Sequence, residues 1–112
     1  GLNPHEEIVM NGYQITFFTQ QDRQHAGKPL ADWLVHLAAE MGLRGATLIP
    51  GSEGIGHDKR FHSVHFFELS DQPLEVVMVV SEEEADQLFA RLHTEGVRLF
   101  YVKVPAEFGI MG

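Results

Sequence analysis

Two stretches of the chain leave an apolar helical stripe in the same way. Glu40-Met41-Gly42-Leu43-Arg44 and Thr94-Glu95-Gly96-Val97-Arg98 each pass through Gly, an apolar residue and Arg into a strand-forming run that ends at Pro50 or Pro105. Each exit follows a helix pattern, and each helix pattern follows a strand pattern. A chain that repeats strand–helix–strand must bury one face of each helix on a sheet built from both halves.

The individual elements follow from spacing. Tyr13, Ile15 and Phe17 alternate onto one face, so a first strand is predicted over Tyr13 to Thr19. The polar run from Gln20 to Lys28 reads as a loop, and Pro29 suits a first helical position, where a missing N–H costs nothing. Leu30, Trp33, Leu34, Leu37, Ala38 and Met41 then form one apolar stripe at helical spacing, and Gly42 is the expected left-handed cap. Ala46 to Pro50 reads as a buried strand. Residues 51–60 read as a Gly-rich loop, residues 61–70 as extended, and Pro73 to Val80 as a central strand that is apolar on both faces. Ser81 and Glu84 have capping-box spacing, and Glu82 and Glu83 suit the positive end of a helix dipole. A second helix with Ala85, Leu88, Phe89 and Leu92 inward is therefore predicted, capped by Gly96. A last strand over Val97 to Val104 is expected to stop at Pro105.

The fold class this implies is α+β: a ferredoxin-like βαββαβ sandwich, with a four-stranded antiparallel sheet and both helices on one face. Residues 1–10 read as a flexible arm, 11–105 as the domain with an insertion over 51–71, and 106–112 as a tail without a clear element. The uncovered sheet face is expected to expose apolar residues such as Phe18, Leu99 or Tyr101. Phe100 and Tyr101, being adjacent, must point to opposite faces. An apolar open face of that size favours a homo-oligomer.

Composition excludes several functions. The 112 residues hold eight Lys+Arg against sixteen Asp+Glu, a formal charge of −8 with neutral His. That balance argues against sequence-independent nucleic-acid binding and adhesion to anionic membranes, which need basic surface. The absence of cysteine removes disulfides, thiolate metal sites and a cysteine nucleophile, and fits a reducing cytoplasm. No apolar run approaches the ~20 residues of a spanning helix, and Gly1 to Glu7 lacks the layout of a signal peptide.

Gly27-Lys28-Pro29-Leu30, Gly42-Leu43-Arg44-Gly45-Ala46-Thr47 and Gly51-Ser52-Glu53-Gly54-Ile55-Gly56, followed by Arg60-Phe61-His62-Ser63 and Pro73-Leu74-Glu75-Val76-Val77, resemble a family. It is the PII-like family known as domain of unknown function 190, and the likeness spans roughly residues 13–104. The resemblance implies a PII-type homotrimer with an effector cleft between subunits, where PII proteins hold an adenine nucleotide. It also implies that residues 51–71 correspond to the long T-loop through which PII proteins act on transporters and enzymes. The chain departs from PII between the second helix and the last strand. There Thr94 to Leu99 holds one Gly and no Lys in place of a Gly-x-Gly-Lys phosphate loop, leaving Arg98 as the cation of that stretch.

The candidate ligand-binding residues follow from the chemistry of anions. Gly51, Gly54 and Gly56 can present backbone N–H groups, and His57, Lys59 and Arg60 supply charge beside Glu53. Lys28 stands at a helix start, and Arg44, Arg98 and Lys103 begin or line strands. His57, His62 and His65, joined by His25 and by Glu53 or Asp58, form an alternative metal set, although His62 and His65 lie at an odd offset on a strand. No nucleophile–base arrangement or paired-carboxylate site is present, so an enzyme is not expected. The leading expectation is a cytoplasmic PII-like sensor that binds a small anionic effector, such as an adenine nucleotide, and signals through loop 51–71. The rivals are a metal-responsive CutA-like trimer and an oligomeric interaction module without a small ligand.

Overall fold

The computed structural model describes residues 8–51 and 73–112. Its elements are β1 (Ile8–Gln20), β2 (Gln24–His25), β3 (Lys28–Pro29), α1 (Leu30–Glu40), β4 (Ala46–Pro50), β5 (Pro73–Ser81), α2 (Glu82–Glu95) and β6 (Phe100–Ile110). Strands β4, β5, β1 and β6 form one antiparallel sheet in that order. Each helix crosses from one sheet strand to another, and both pack on the same sheet face. This is the expected α+β ferredoxin-like sandwich.

The core sits between that face and the helices. Ile15 and Phe17 of β1 and Val76, Met78 and Val80 of β5 alternate inward and are almost fully buried beneath Leu30 and Leu34 of α1 and Leu88 of α2. Each such side chain contributes about 1.5–3 kcal/mol by leaving water. Register pairs Phe17 with Val76 and Ile15 with Met78, so the inward residues meet across the strands.

Both helix ends obey their local signals. Ser81 Oγ accepts from the Glu84 N–H at 3.1 Å, and the Ser81 N–H donates to Glu84 Oε1 at 2.9 Å, closing the capping box. Gly42 (φ +72°) and Gly96 (φ +70°) take the left-handed conformation. The amides of Leu43 and Val97 return to the carbonyls of Ala38 and Leu92, which satisfies two orphan acceptors.

Several boundaries differ from the sequence reading. β1 begins at Ile8, so residues 8–10 of the expected arm are strand. β6 begins at Phe100 rather than Val97 and runs through Pro105 to Ile110, so most of the expected tail is strand as well. Pro105 is tolerated because β6 is an edge strand that, among the described residues, pairs only with β1, leaving one side without a ladder. The rungs from Ile8–Ile110 to Asn11–Glu107 lie beyond the end of β5 and form a two-stranded overhang. β4 is exposed rather than buried, since it is the other edge; Leu48 and Ile49 remain about 40% accessible (42% and 41%). The loop after β1 contains the small β2–β3 hairpin, whose turn residues Ala26 (φ +52°) and Gly27 (φ +78°) both have positive φ. Pro29 flanks α1 in an extended conformation instead of opening it. The extended reading of residues 61–70 lies outside the described residues.

The open face is apolar, but with a different cast. Phe18 and Phe100 pair on it with ring centroids 5.5 Å apart, beside Val77, Val79, Val102 and Val104. Tyr101 and Leu99 belong to the helix side instead. The Tyr101 ring lies 4.8 Å from Phe89 and 6.4 Å from Phe17, and Leu99 packs against the core. Phe100 and Tyr101 thus occupy opposite faces, as alternation requires.

Candidate anion cleft at the loop end of the sheet

Antiparallel register gathers one set of strand ends at one end of the sheet. Gln20 pairs with Pro73, Pro50 with Leu74, and Phe18 with Phe100. Pro73 therefore stands beside Gln20 at the end of β1, with Gly51 next to Pro73, while the start of β6 lies at the same end of the sheet on the other side of β1. The Gly51 N–H donates to the Pro73 carbonyl at 2.6 Å, and a Cβ at Gly51 would lie 2.3 Å from the Pro73 ring, so only Gly fits.

A cleft of about 420 Å³ opens at this end, lined by Gln20, Arg23, Arg98, Leu99 and Phe100. Two arginines beside Leu99 and Phe100 suit an anion joined to a flat or apolar body. Arg23 Nη2 donates to the Arg98 carbonyl, and this contact draws the two residues together. Among the described residues no carboxylate pairs with either guanidinium.

The β2–β3 hairpin and the end of α2 frame the cleft. The Arg23 N–H donates to the Gln20 carbonyl at 3.2 Å, and the Leu30 N–H to the Arg23 carbonyl at 2.8 Å, fixing the chain on both sides of Arg23. His25 Nε2 lies 3.2 Å from Glu95 Oε1, and its ring meets Trp33 edge-on at 4.4 Å. Arg91 Nε donates to Glu95 Oε2 at 3.1 Å, and Arg91 Nη2 to Glu40 Oε1 at 3.3 Å. The hydrogen bond from His25, then that from Arg91, holds the Glu95 carboxyl below the usual carboxylate range. The same carboxylate, followed by that of Glu40, holds the Arg91 guanidinium above its ordinary value.

The candidates from the sequence are divided by this geometry. Arg98, Gly51 and Lys28 lie at the loop end, Lys28 on the hairpin opposite His25. Arg44 lies at the far end of the sheet, in a groove with Met10, Gly42, Glu84 and Phe108. Lys103 projects on the helix side, its Nζ 4.2 Å from the Tyr13 ring centroid and 5.4 Å from that of Phe89, a cation–π position. Glu53, Gly54, Gly56, His57, Lys59 and Arg60, and with them the metal candidates His62 and His65, lie outside the described residues. His25, the metal partner proposed from the first loop, faces Glu95 and Trp33. Among the described residues no three metal-ligating side chains converge. Sequence reasoning missed Arg23: it sits in a polar stretch without periodicity, and only the turn that folds this stretch back reveals it.

The described helices include none long and apolar enough to cross a membrane. In fold, the chain is similar to a protein of Thermus thermophilus described as a PII-like signaling protein, with a TM-score of 0.56 at 18% identity, covering 92% of this chain and 91% of that one. It is similar also to CPII of Thiomonas intermedia K12. The complex of CPII with ADP, AMP and acetate gives a TM-score of 0.57 at 14% identity over 92% of this chain and 91% of that one. The apo form, described as a nitrogen regulatory PII-like protein, gives 0.57 at 15% over 94% and 99%. In sequence, the chain is 33% identical over 75 residues to a UPF0166 protein of Aquifex aeolicus (strain VF5), covering 67% of this chain and 71% of the relative. The model of the family DUF190, described as an uncharacterized ACR, matches residues 12–97. With most of the domain matched and a PII-like sandwich beneath it, the chain belongs to the DUF190 family.

Proposed function

We propose that the protein is a PII-like signalling subunit that binds a small anionic effector in the Arg23–Arg98 cleft and acts on a protein target through loop 51–71. The observation that carries this reading is the cleft's place. Gln20, which lines the cleft with the two arginines, is the register partner of Pro73, so a ligand held there lies one strand end away from the stem of the segment that would signal. A ligand shifts the loop only as far as it binds one loop state better than the other. An adenine nucleotide fits the floor of Leu99 and Phe100 with phosphates on the two arginines, and CPII, of the same fold, is bound to ADP and AMP. The missing Gly-x-Gly-Lys loop is then replaced by side chains. The apolar open face supports assembly into a homotrimer, which would close the cleft with a second subunit. The role is regulatory, with a transporter or an enzyme as the target class.

The test is titration calorimetry with AMP, ADP and ATP, with and without Mg²⁺, on the wild type and on Arg23→Ala and Arg98→Ala. A hydrogen bond to a charged group contributes about 1.5–3 kcal/mol, so each substitution is expected to weaken affinity about tenfold to a hundredfold. Unchanged affinity in both variants overturns the cleft assignment. Absence of heat and of any thermal shift across the panel overturns the nucleotide reading, because ligand at ~100 times Kd adds about 2.7 kcal/mol of stability.

A further inference from the structure

Strands β1 and β6 run on together past the last rung of β5, Gly12–Ser81, as a two-stranded ribbon. Gly12 sits at the crossing. A Cβ there would collide with the Val80 carbonyl, so only Gly lets β1 pass so closely over the end of β5. Beyond Gly12 the ribbon is exposed except at Met10 and Phe108, which are register partners and partly buried. Met10 has the strand parity of Phe18, yet it lines a groove with Gly42, Arg44 and Glu84 at the helix ends. Two-stranded ribbons twist more strongly than wide sheets, and this twist carries the Met10–Phe108 pair from the open face round to the helix layer.

The groove is small and carries both charges. Its volume of about 230 Å³ is below the ~300–1,000 Å³ of pockets for drug-sized ligands, so it takes a small molecule. Arg44 and Glu84 both line it, but among the described residues no ion pair joins them. Each is held by its neighbours. Leu43 is in the core and its N–H donates to the Ala38 carbonyl at 2.9 Å, which fixes the backbone just before Arg44. Glu84 Oε1 accepts the Ser81 N–H in the capping box, which orients the carboxylate and leaves Oε2 for another donor. A bare anion drawn to Arg44 would meet the Glu84 carboxylate, and a bare amine drawn to Glu84 would meet the Arg44 guanidinium. A molecule with both charges and an apolar body satisfies all four side chains.

We propose that this groove binds a free α-amino acid with an apolar side chain. Its carboxylate pairs with Arg44, its ammonium with Glu84, and its side chain lies on Met10 and Phe108. The end of a peptide carries only one of the two charges, so the class is the free amino acid. The site lies at the opposite end of the sheet from the Arg23–Arg98 cleft and stands independently of it.

The full chain is titrated with L-leucine by NMR up to millimolar concentration, following the backbone amides of Met10, Gly42, Arg44 and Phe108. N-acetyl-L-leucine, which keeps only the carboxylate, and L-leucinamide, which keeps only the ammonium, are the single-charge probes, and glycine tests the apolar contact. The expected result is saturable shifts at these amides with L-leucine. Each single-charge probe should bind about tenfold to a hundredfold more weakly, the loss of one hydrogen bond to a charged group. Glycine should bind about tenfold more weakly or worse. Arg44→Gln and Glu84→Gln should each weaken L-leucine about tenfold to a hundredfold. Glu84→Gln should keep a near-wild-type Tm, because Gln also serves at the third position of a capping box. Glu83→Gln, which removes a neighbouring exposed charge outside the groove, should bind as the wild type. No shift at these amides overturns the site. Either single-charge probe binding as tightly as L-leucine overturns the amino-acid assignment, as does unchanged affinity in Arg44→Gln and Glu84→Gln.

Discussion

Adjacent phenylalanines on β1 offer a stringent test of the sheet's two faces. Phe17 is fully buried beneath the helices, with Phe89 at 6.0 Å and Tyr101 at 6.4 Å between ring centroids. Phe18 points the other way, half-buried against Phe100 on the open face. Truncating Phe17 to Ala removes the largest fully buried side chain and leaves a cavity, at a cost of about 3–5 kcal/mol. That is a large part of the ~5–15 kcal/mol that holds a domain of this size together. With an unfolding entropy of roughly 2.1 cal/mol/K per residue, a 4 kcal/mol loss over the 112 residues lowers Tm by about 17 °C. Phe18→Ala removes a partly wet ring and should cost the isolated subunit about 1 kcal/mol, while the assembly that covers this face loses much more. The assay is urea unfolding followed by the fluorescence of the single tryptophan, Trp33, at several protein concentrations, with sedimentation to read the oligomer. Phe17→Ala should unfold at lower urea and keep the wild-type oligomer where it remains folded. Phe18→Ala should lose the concentration dependence. Equal costs for the two variants in the isolated subunit would refute the assignment of faces, and an unchanged oligomer in Phe18→Ala would refute the open face as the interface.

Three further outcomes follow from local geometry. Ser81→Ala leaves the Glu84 N–H without its acceptor and should destabilise the protein by about 1 kcal/mol in chemical denaturation, with an unchanged m-value. Ala26→Asn should stabilise it by about 0.5–1 kcal/mol, because Ala26 has φ +52°, a conformation that Asn adopts more readily; circular dichroism melts measure the gain. The depressed Glu95 carboxyl contributes stability in full at neutral pH, and that contribution is lost as pH falls below the ordinary carboxylate value of 4.5 toward its lower folded value. In Glu95→Gln the acid limb of a stability–pH profile should therefore be shallower, with the difference confined to that window.

Local pattern was enough for the element order, both helices and the architecture. The apolar stripe from Leu30 to Met41, the capping box at Ser81 and the left-handed glycines 42 and 96 are short-range signals, each read within a turn or two of chain. The family likeness in the glycine-containing segments was legible for the same reason. What local pattern could not say is which strand lies at an edge. That depends on pairing partners far apart in the chain, so Pro105 reads as a stop although β6 runs on to Ile110, and Ala46 to Pro50 reads as buried although β4 is exposed. The register of β6 on β1, which pairs Phe17 with Tyr101 and Phe18 with Phe100, puts Tyr101 under the helices and Phe100 on the open face. The cleft is a tertiary product for the same reason. Arg23 and Arg98 are 75 positions apart, and only the antiparallel return of β6 along β1, with the hairpin folded back against the end of α2, brings two such distant cations to one cleft.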